Sequence, residues 1–453
     1  MSRSRDAERV TVVGGGLAGS EATYQLARRG VPVRLVEMRP VRKTEAHATD
    51  RLAELVCSNS LRDNSLLTAV GVLKEELRRL DSLVLRVADE VKVPAGSALA
   101  VDRVAFSERI TSEIESFPEI EIVREEVTSI PESGRVILAT GPLTSPALSE
   151  ALARRLGQEH LYFYDAISPI VTADSIDMSI AFRAARYGKG GDDYINCPMD
   201  GPTYDRFVNE VSAAEKVPLK SFERCMYFEG CMPIEELARR GHDTLRYGPM
   251  KPVGLADPRT GQMHHAVVQL RQDDLPGRLY SIVGFQTKMT YGEQRRVFRM
   301  IPGLERAEFV RLGSLHRNTF INSPRALTRT LDVVGSLGLA LAGQLVGVEG
   351  YVESTATGLL AGINAARAMS EQGGVAPPST TALGSLLDYV TDRSRKDFQP
   401  MNANYGLFPP LPARIRGRAK KDAMAERALA DLDAWIVEAG LENPRHVLRT
   451  SSC

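Results

Sequence analysis

Residues 10–22 read Val-Thr-Val-Val-Gly-Gly-Gly-Leu-Ala-Gly-Ser-Glu-Ala, and this stretch decides the fold class. The apolar, β-branched run 10–13 suits a buried parallel strand, and the small residues from Gly19 onward suit a closely packed helix. Between them lies G-x-G-x-x-G on Gly14, Gly16 and Gly19, in the strand–turn–helix order that a dinucleotide-binding fingerprint requires. Gly14 permits the tight turn, Gly16 lets backbone N–H groups approach a pyrophosphate, and Gly19 lets the helix sit close to the strand. The whole loop Gly14, Gly15, Gly16, Leu17, Ala18 and Gly19 is therefore expected to hold phosphates at the positive end of a helix. Glu37 ends the next apolar run, eighteen positions after Gly19, where a carboxylate accepts hydrogen bonds from ribose hydroxyls. A bare glycine turn would not need that acid.

Working outward, β-like runs occur at 10–13, 33–36, 120–123 and 136–138, with helix-like stretches at 20–29 and 51–55. That alternation predicts a mostly parallel sheet with crossover helices. The run 136–141, Val-Ile-Leu-Ala-Thr-Gly, places Gly141 at the end of an apolar strand, as in flavoproteins where this strand passes the cofactor. A strand-like 337–342 then leads into a second glycine-rich loop carrying Gly343 and Gly350, followed by a helical 355–369. A late glycine loop feeding a helix start favours FAD over NAD, because it brings the flavin end of the cofactor to backbone donors. No second G-x-G-x-x-G is present, and Gly188-Lys-Gly-Gly191 has the wrong spacing. NADPH or NADH must then dock beside the flavin without a nucleotide module of its own, unlike in an ordinary disulfide reductase.

The predicted class is α/β: a discontinuous FAD-binding domain of the glutathione-reductase (Rossmann) type, an inserted α+β domain and a helical C-terminal segment. The expected division is 1–168 and 287–380 for the FAD-binding domain, 169–286 for the inserted substrate or RNA domain, and 381–453 for the helical tail. The inserted region differs in being rich in Tyr, Pro, Gly and charged residues, and the tail is broken by Pro409, Pro410 and Pro412.

The chain has 453 residues and a formal net charge of zero, which excludes a protein coated in positive charge but allows a local basic patch. Five cysteines with no C-x-x-C pair argue against a zinc site or a disulfide framework and for a reducing cytoplasm. The start resembles a signal peptide only superficially, and the apolar run 337–348 is too short to cross a bilayer. Arg414, Arg416, Arg418, Lys420 and Lys421 form the candidate RNA-binding patch, with Lys251, Arg259 and Arg271 able to widen it. Solvated surface is the competing reading of any such charge run.

Longer strings carry a family resemblance. VVGGGLAGSEA, VEMRP at 36–40, CSNS at 57–60, FEGCMPIEELARRG at 228–241 and YGPMKPVGLADPRTG at 247–261 are specific. So are GFQTKMTYGEQRRVFRMIPGLE at 284–305, LHRNTFINSP at 315–324, GVEGYVESTATG at 347–358 and FQPMNANYGLFPPL at 398–411. Together they resemble the folate- and FAD-dependent tRNA (uracil-5-)-methyltransferases, the TrmFO type, over about residues 9–440. The resemblance implies that methylenetetrahydrofolate supplies a one-carbon unit through the flavin to C5 of the T-loop uridine at position 54 of tRNA. NAD(P)H is then the reductant.

It also implies two catalytic thiols, Cys231 as nucleophile and Cys57 as base or proton shuttle, with the two roles exchangeable. A thiolate must add to C6 before C5 becomes nucleophilic, and a base must then take the C5 proton. His316 is carried over as the residue stacking on the folate pterin, where the residues alone suit a hydrogen-bonded turn histidine equally well. Tyr351 is a candidate catalytic residue over the flavin, or a packed tyrosine. Cys197, Cys225 and Cys453 read as ordinary thiols. The rivals are a larger wobble-uridine modifier, the same chemistry on ribosomal RNA, and a non-catalytic flavin-bearing RNA-binding protein.

Overall fold

The computed structural model describes residues 9–441 except 45, 159–160, 189, 218–231, 337, 396 and 413–414, with backbone alone at 161–165 and 315–317. The fingerprint strand becomes β1 (Val10–Val13), the centre of a five-stranded sheet. Its other strands are β2 (Val33–Glu37), β6 (Ile120–Arg124), β7 (Arg135–Leu138) and β16 (Leu339–Leu341), in the order β16-β7-β1-β2-β6 with every pairing parallel. The chain leaves β1 toward β2 on one side and returns as β7 on the other. The crevice beyond the carboxyl end of β1 is therefore the switch point at which such sheets bind ligands.

Helix α1 (Leu17–Ala27) crosses from β1 to β2 and is buried on every face, which explains its near-total lack of exposed polar residues. It is sandwiched between the sheet and α7 (Tyr351–Met369). The interface is a seam of small residues: a Cβ on Gly358 would stand 2.2 Å from the Ala18 carbonyl oxygen, and one on Gly362 2.7 Å from that of Ala22. Residues 51–55, expected to be helical, are instead turn and loop, with Ala53 at positive φ. Segment 60–101 adds elements that no periodicity announced: a small antiparallel sheet of β3 (Ser60–Asp63), β4 (Lys92–Val93) and β5 (Ala98–Val101), with helices α2 (Ala69–Arg79) and α3 (Leu83–Glu90). Helix α4 (Arg103–Glu115) follows.

The second sheet is antiparallel, so the chain is a mixed α/β protein. Its strands are β9 (Ile170–Thr172), β10 (Phe182–Arg183), β11 (Tyr194–Met199), β12 (Ala266–Gln272), β13 (Leu279–Ile282) and β14 (Phe309–Arg311), in the order β10-β11-β12-β13-β9-β14. Helices α5 (Gly201–Ala213) and α6 (Tyr291–Phe298) close its core, where Phe207 packs tilted on Phe285 and Phe285 meets Phe298 edge to face. This core runs on past residue 286 to Leu304 and Ala307, because the apolar positions of α6 have no other surface to bury against. A two-stranded ribbon, β8 (Leu161–Ala166) with β15 (Leu315–Phe320), links the two cores.

The C-terminal helices α8 (Ala382–Thr391) and α9 (Gly417–Glu438) are part of the first core, not an appendage. Leu383, Leu386, Met424, Leu432 and Trp435 are buried in the same cluster as β1. Buried Glu76 on α2 caps α8, accepting from the Ala382 N–H at 2.6 Å and the Leu383 N–H at 2.9 Å. Among the described residues, no helix is long and apolar enough to cross a membrane.

Burial pushes the Glu76 carboxyl up to about 8, against the two N–H donors that favour its charged form. The folded chain therefore holds a proton that the unfolded chain releases near pH 4.5, and this contribution to stability is lost as pH rises through about 8. We expect Glu76→Gln, neutral at every pH, to lose less thermal stability than the parent between pH 5 and pH 9. Melting curves across that range, read for the difference between the two proteins, check it.

Candidate active site

The turn after β1 is shaped by the protein itself at two of its glycines and by something else at a third. At φ 103°, Gly14 brings its Cα so close to β7 that a Cβ would lie 2.6 Å from the Ala139 carbonyl oxygen. A Cβ on Gly19 would lie 1.8 Å from the carbonyl oxygen of Gly14. Around Gly16, apart from its own stretch of chain, no protein atom stands within 4 Å of that position, although Gly16 lines the cleft. The space there suits a bound group that comes within van der Waals distance of the backbone. Gly16 is the N-cap of α1, with no capping side chain and no acid in the first turn, so the first backbone N–H groups are left for an anion. A pyrophosphate fits that cradle.

Gly14, Gly16, Leu17, Ala18, Glu37, Gly141 and Gly343 line one cleft together with Tyr351. Gly15 and Gly19 shape its floor without lining it, and Gly350 lines the adjoining cavity. Glu37, expected to meet ribose hydroxyls, also organises the loop: it accepts from the Gly15 N–H at 2.6 Å and from Arg39 Nε at 2.8 Å. Burial works against its charge, but the Arg39 hydrogen bonds and charge, with the Gly15 N–H, outweigh it and hold the carboxyl below its ordinary value. A carboxylate has lone pairs left after those bonds. Arg39, 1% exposed, bridges Glu37 to Glu54 at 3.2 Å. No spacing in the sequence marks Arg39, since its partners lie on a strand end and a loop.

Val56, Pro142, Leu143, Gln344 and Tyr351 line both this cleft and a second cavity of about 460 Å³, so the two are continuous. The second cavity holds Cys57, which is partly exposed. Its backbone N–H donates to Tyr351 Oη at 2.8 Å, tying the cysteine loop to the start of α7. Arg103 on α4 donates to the Leu55 carbonyl at 2.6 Å and the Cys57 carbonyl at 3.2 Å, and pairs with Asp273 at 3.1 Å. Arg311 on β14 donates to the Val56 carbonyl. Asn59 gives both amide hydrogens to carbonyls, of Val101 at 3.0 Å and Gln272 at 2.9 Å, which turns its oxygen to Arg271 Nε at 3.0 Å. Loop 55–59 is thus pinned from both cores. Burial lowers the proton affinity of Arg271 and Arg311, whereas at Arg103 the Asp273 carboxylate overcomes burial and raises it.

The string at 398–411 reaches the same cavity. Asn402 lines it, and the Ala403 N–H donates at 3.0 Å to buried Glu353, which also pairs with Arg62 at 3.2 Å. Beneath them Lys74, fully buried, donates to the Asp63 carbonyl at 2.6 Å, and burial pushes it down to about 8. Sequence reasoning misses Arg103, Arg311, Arg62 and Lys74. They act on backbone carbonyls and on partners distant in sequence, which leave no periodic signal.

Other expectations fall elsewhere. Cys231, Cys225, Arg414 and Cys453 lie outside the described residues, and His316 belongs to β15, described there as backbone alone. Cys197 is fully buried, and burial pushes its thiol far up, as an inert cysteine requires. Arg416, Arg418, Lys420 and Lys421 are exposed around the first turn of α9. Two residues expected to widen that patch do not: Arg271 is buried in the cavity, and Arg259 is bound to Asp257 at 2.8 Å. No cluster of His, Cys, Asp or Glu suited to a metal ion occurs among the described residues.

Comparison with known proteins agrees with this layout. A family profile described as Glucose inhibited division protein A (GidA) matches residues 9–373. The chain is 60% identical to the methylenetetrahydrofolate–tRNA-(uracil-5-)-methyltransferase TrmFO of Geobacter sp. strain M21, over 95% of this chain and 99% of that protein. It is 58% identical to the protein of that name from Natranaerobius thermophilus, over 94% and 99% of the two chains. The crystal structure of Aquifex aeolicus GidA in form II superposes with a TM-score of 0.70 at 18% identity, covering 99% of this chain and 76% of that one, and so shares the fold.

The contrast among the glycines is testable. Gly16→Val is expected to fold with a melting temperature near that of cofactor-free parent while retaining little or no flavin. Gly19→Val is expected to lose about 3 kcal/mol or more of stability, beyond the ordinary cost of overpacking. Flavin absorbance of the purified variants and their melting curves measure both.

Proposed function

This chain belongs to the GidA family, and within it to the TrmFO proteins; we propose that it binds FAD and methylates tRNA at C5 of the T-loop uridine, position 54. The one-carbon unit comes from methylenetetrahydrofolate, NADPH or NADH is the reductant, and 5-methyluridine is the product. The observation that carries this reading is the continuity of the α1 cleft with the cavity containing Cys57. A group bound along the cleft ends where a base would meet the thiol. When bound, FAD supplies the redox chemistry and the carrier for the one-carbon unit.

The chain's own residues do the rest. The unpaired N–H groups at the start of α1 hold the phosphates, and Glu37 keeps the loop in shape while facing the ribose. Tyr351 Oη accepts the Cys57 N–H, so the position of the Cys57 loop depends on the α7 end of the cleft being in place. The uridine base leaves its stack to enter the cavity, because C5 of a stacked base is out of reach. Cys231 adds to C6, and Cys57 takes the C5 proton before the first thiol leaves. Cys57 suits proton transfer, since hydrogen bonds from both cores anchor its loop and fix its Cα. His316 stacks on the pterin, and Arg414, Arg416, Arg418, Lys420 and Lys421 bind RNA phosphates. A tRNA substrate places the protein in the cytoplasm.

Nucleoside mass spectrometry of tRNA and rRNA from cells lacking this protein is the direct test. We expect 5-methyluridine to vanish from tRNA; a loss confined to rRNA, or no loss, overturns the assignment. With tRNA containing 5-fluorouridine, Cys231→Ala is expected to give no covalent adduct on a denaturing gel, whereas Cys57→Ala still forms one. The opposite pattern exchanges the two roles. For the double variant Arg416→Ala/Lys420→Ala, the slope of log K against log salt should flatten by about 0.7–0.9 for each phosphate no longer neutralised.

A further inference from the structure

Arg271 is a buried cation in the cavity wall with no ion-pair partner among the described residues. It is 9% exposed, on a central strand of the second sheet, and among the described residues only its Nε is hydrogen-bonded, to Asn59 Oδ1 at 3.0 Å. Among those residues no carboxylate lies within ion-pairing distance of it, while nearby Arg103 has Asp273 at 3.1 Å. Arg271 lines the cavity with Cys57, Ser58 and Ser60. The orientation is built in: Asn59 uses both amide hydrogens on Val101 and Gln272, so its oxygen must face the arginine. Asp273, already paired with Arg103, acts on Arg271 only from beyond ion-pairing distance, and a buried guanidinium so weakly compensated is stabilised when a negative group arrives.

We propose that Arg271 is the oxyanion-stabilising residue of this cavity, donating to the C4 carbonyl oxygen of the inserted uracil. This rests on the tRNA-uridine reading above. When a thiolate adds, the S–C6 bond forms, the C5=C6 electron pair moves into C4–C5, and the C4 carbonyl pair moves onto oxygen. The product is an enolate with its negative charge on O4; no oxidant or reductant is consumed, and elimination reverses the step. A preorganised donor at the atom where charge develops lowers the barrier to that addition. Depth selects the base over an RNA phosphate, since phosphates stay at the mouth when a base turns inward. Arg271 lines the cysteine cavity and not the α1 cleft, where the dinucleotide finds its own donors.

Reversible addition labilises the hydrogen at C5, so exchange of tritium from tRNA carrying [5-³H]uridine reports the step in the purified holoprotein without folate. We expect Arg271→Ala and Arg271→Gln to slow exchange about 100-fold, Arg271→Lys to retain part of it, and added guanidinium ion to restore part of the rate to Arg271→Ala. Affinity for tRNA and its salt dependence should stay within about 2-fold of the parent, as expected when every RNA phosphate keeps its cation. Exchange at the parental rate in Arg271→Ala overturns the proposal. So does weakened tRNA binding with a flattened salt slope, which marks Arg271 as a phosphate ligand, or loss of bound flavin, which marks it as a cofactor ligand. If the alanine variant does not fold, the Lys and Gln variants decide: equal rates with and without the charge overturn it. Failure of the underlying reading looks different, because the parent itself then shows neither exchange nor 5-methyluridine formation.

Discussion

The tightest approach between α1 and the turn before it is that of the Gly14 carbonyl to the Cα of Gly19, where no Cβ has room. That approach lets α1 start directly over the end of β1, and the rest of the site follows from it. With α1 seated there, its uncapped N-terminus opens into the cleft, and its outer face can be covered only by another helix of small residues. α7 supplies those residues at Gly358 and Gly362, and the same helix begins at Tyr351, whose hydroxyl holds the Cys57 backbone. One steric constraint thus runs from the fingerprint turn to the thiol.

The two cores meet on the cysteine loop. Arg103 comes from the first core, Arg271 and Arg311 come from the antiparallel sheet, and all three act within residues 55–59. Three arginines thus converge on one short loop, with the carboxylate of Asp273 beside them, in a chain with no net charge. Composition could not show this, because it does not say which residues the fold brings together. The arginines hold the loop by donating to carbonyls and to Asn59, so the thiol is placed by backbone anchoring rather than by its own hydrogen bonds. The thiol's contact with the Ala166 carbonyl, at 3.9 Å, is a weak one.

The C-terminal part follows a different logic. Helices α8 and α9 bury their apolar faces against α2, and Glu76 supplements the local Thr381 cap of α8 with a carboxyl group brought from 306 positions away in the chain. The loop ahead of α9 then delivers Asn402 to the cavity and the Ala403 N–H to Glu353 in its wall. A tail that reads as an appendage is part of the wall of the site.

Local rules sufficed for the first sheet: the β-branched runs, the glycine spacing and the acid at 37 imply a parallel strand, a turn and a crossover helix, because each depends on neighbours within a few residues. They also made Cys57 conspicuous, among serines and an asparagine that no apolar strand would contain. They failed for 51–55, where a short apolar pattern met a loop bound to the nucleotide turn, with the Ala53 N–H donating to the Gly15 carbonyl. They failed as well for the end of the second core, because α6 chooses its partner by the surface left uncovered. Burial turned Arg271 from a surface cation into a cavity group, and brought Arg39, Arg62, Lys74 and Arg103 to partners between 2 and 291 positions away. Sequence alone determined which backbone turns and strands could form, since those are settled by sterics along the chain. Only the tertiary structure decided which charges lose their water and what faces them, since desolvation is a property of the packed whole.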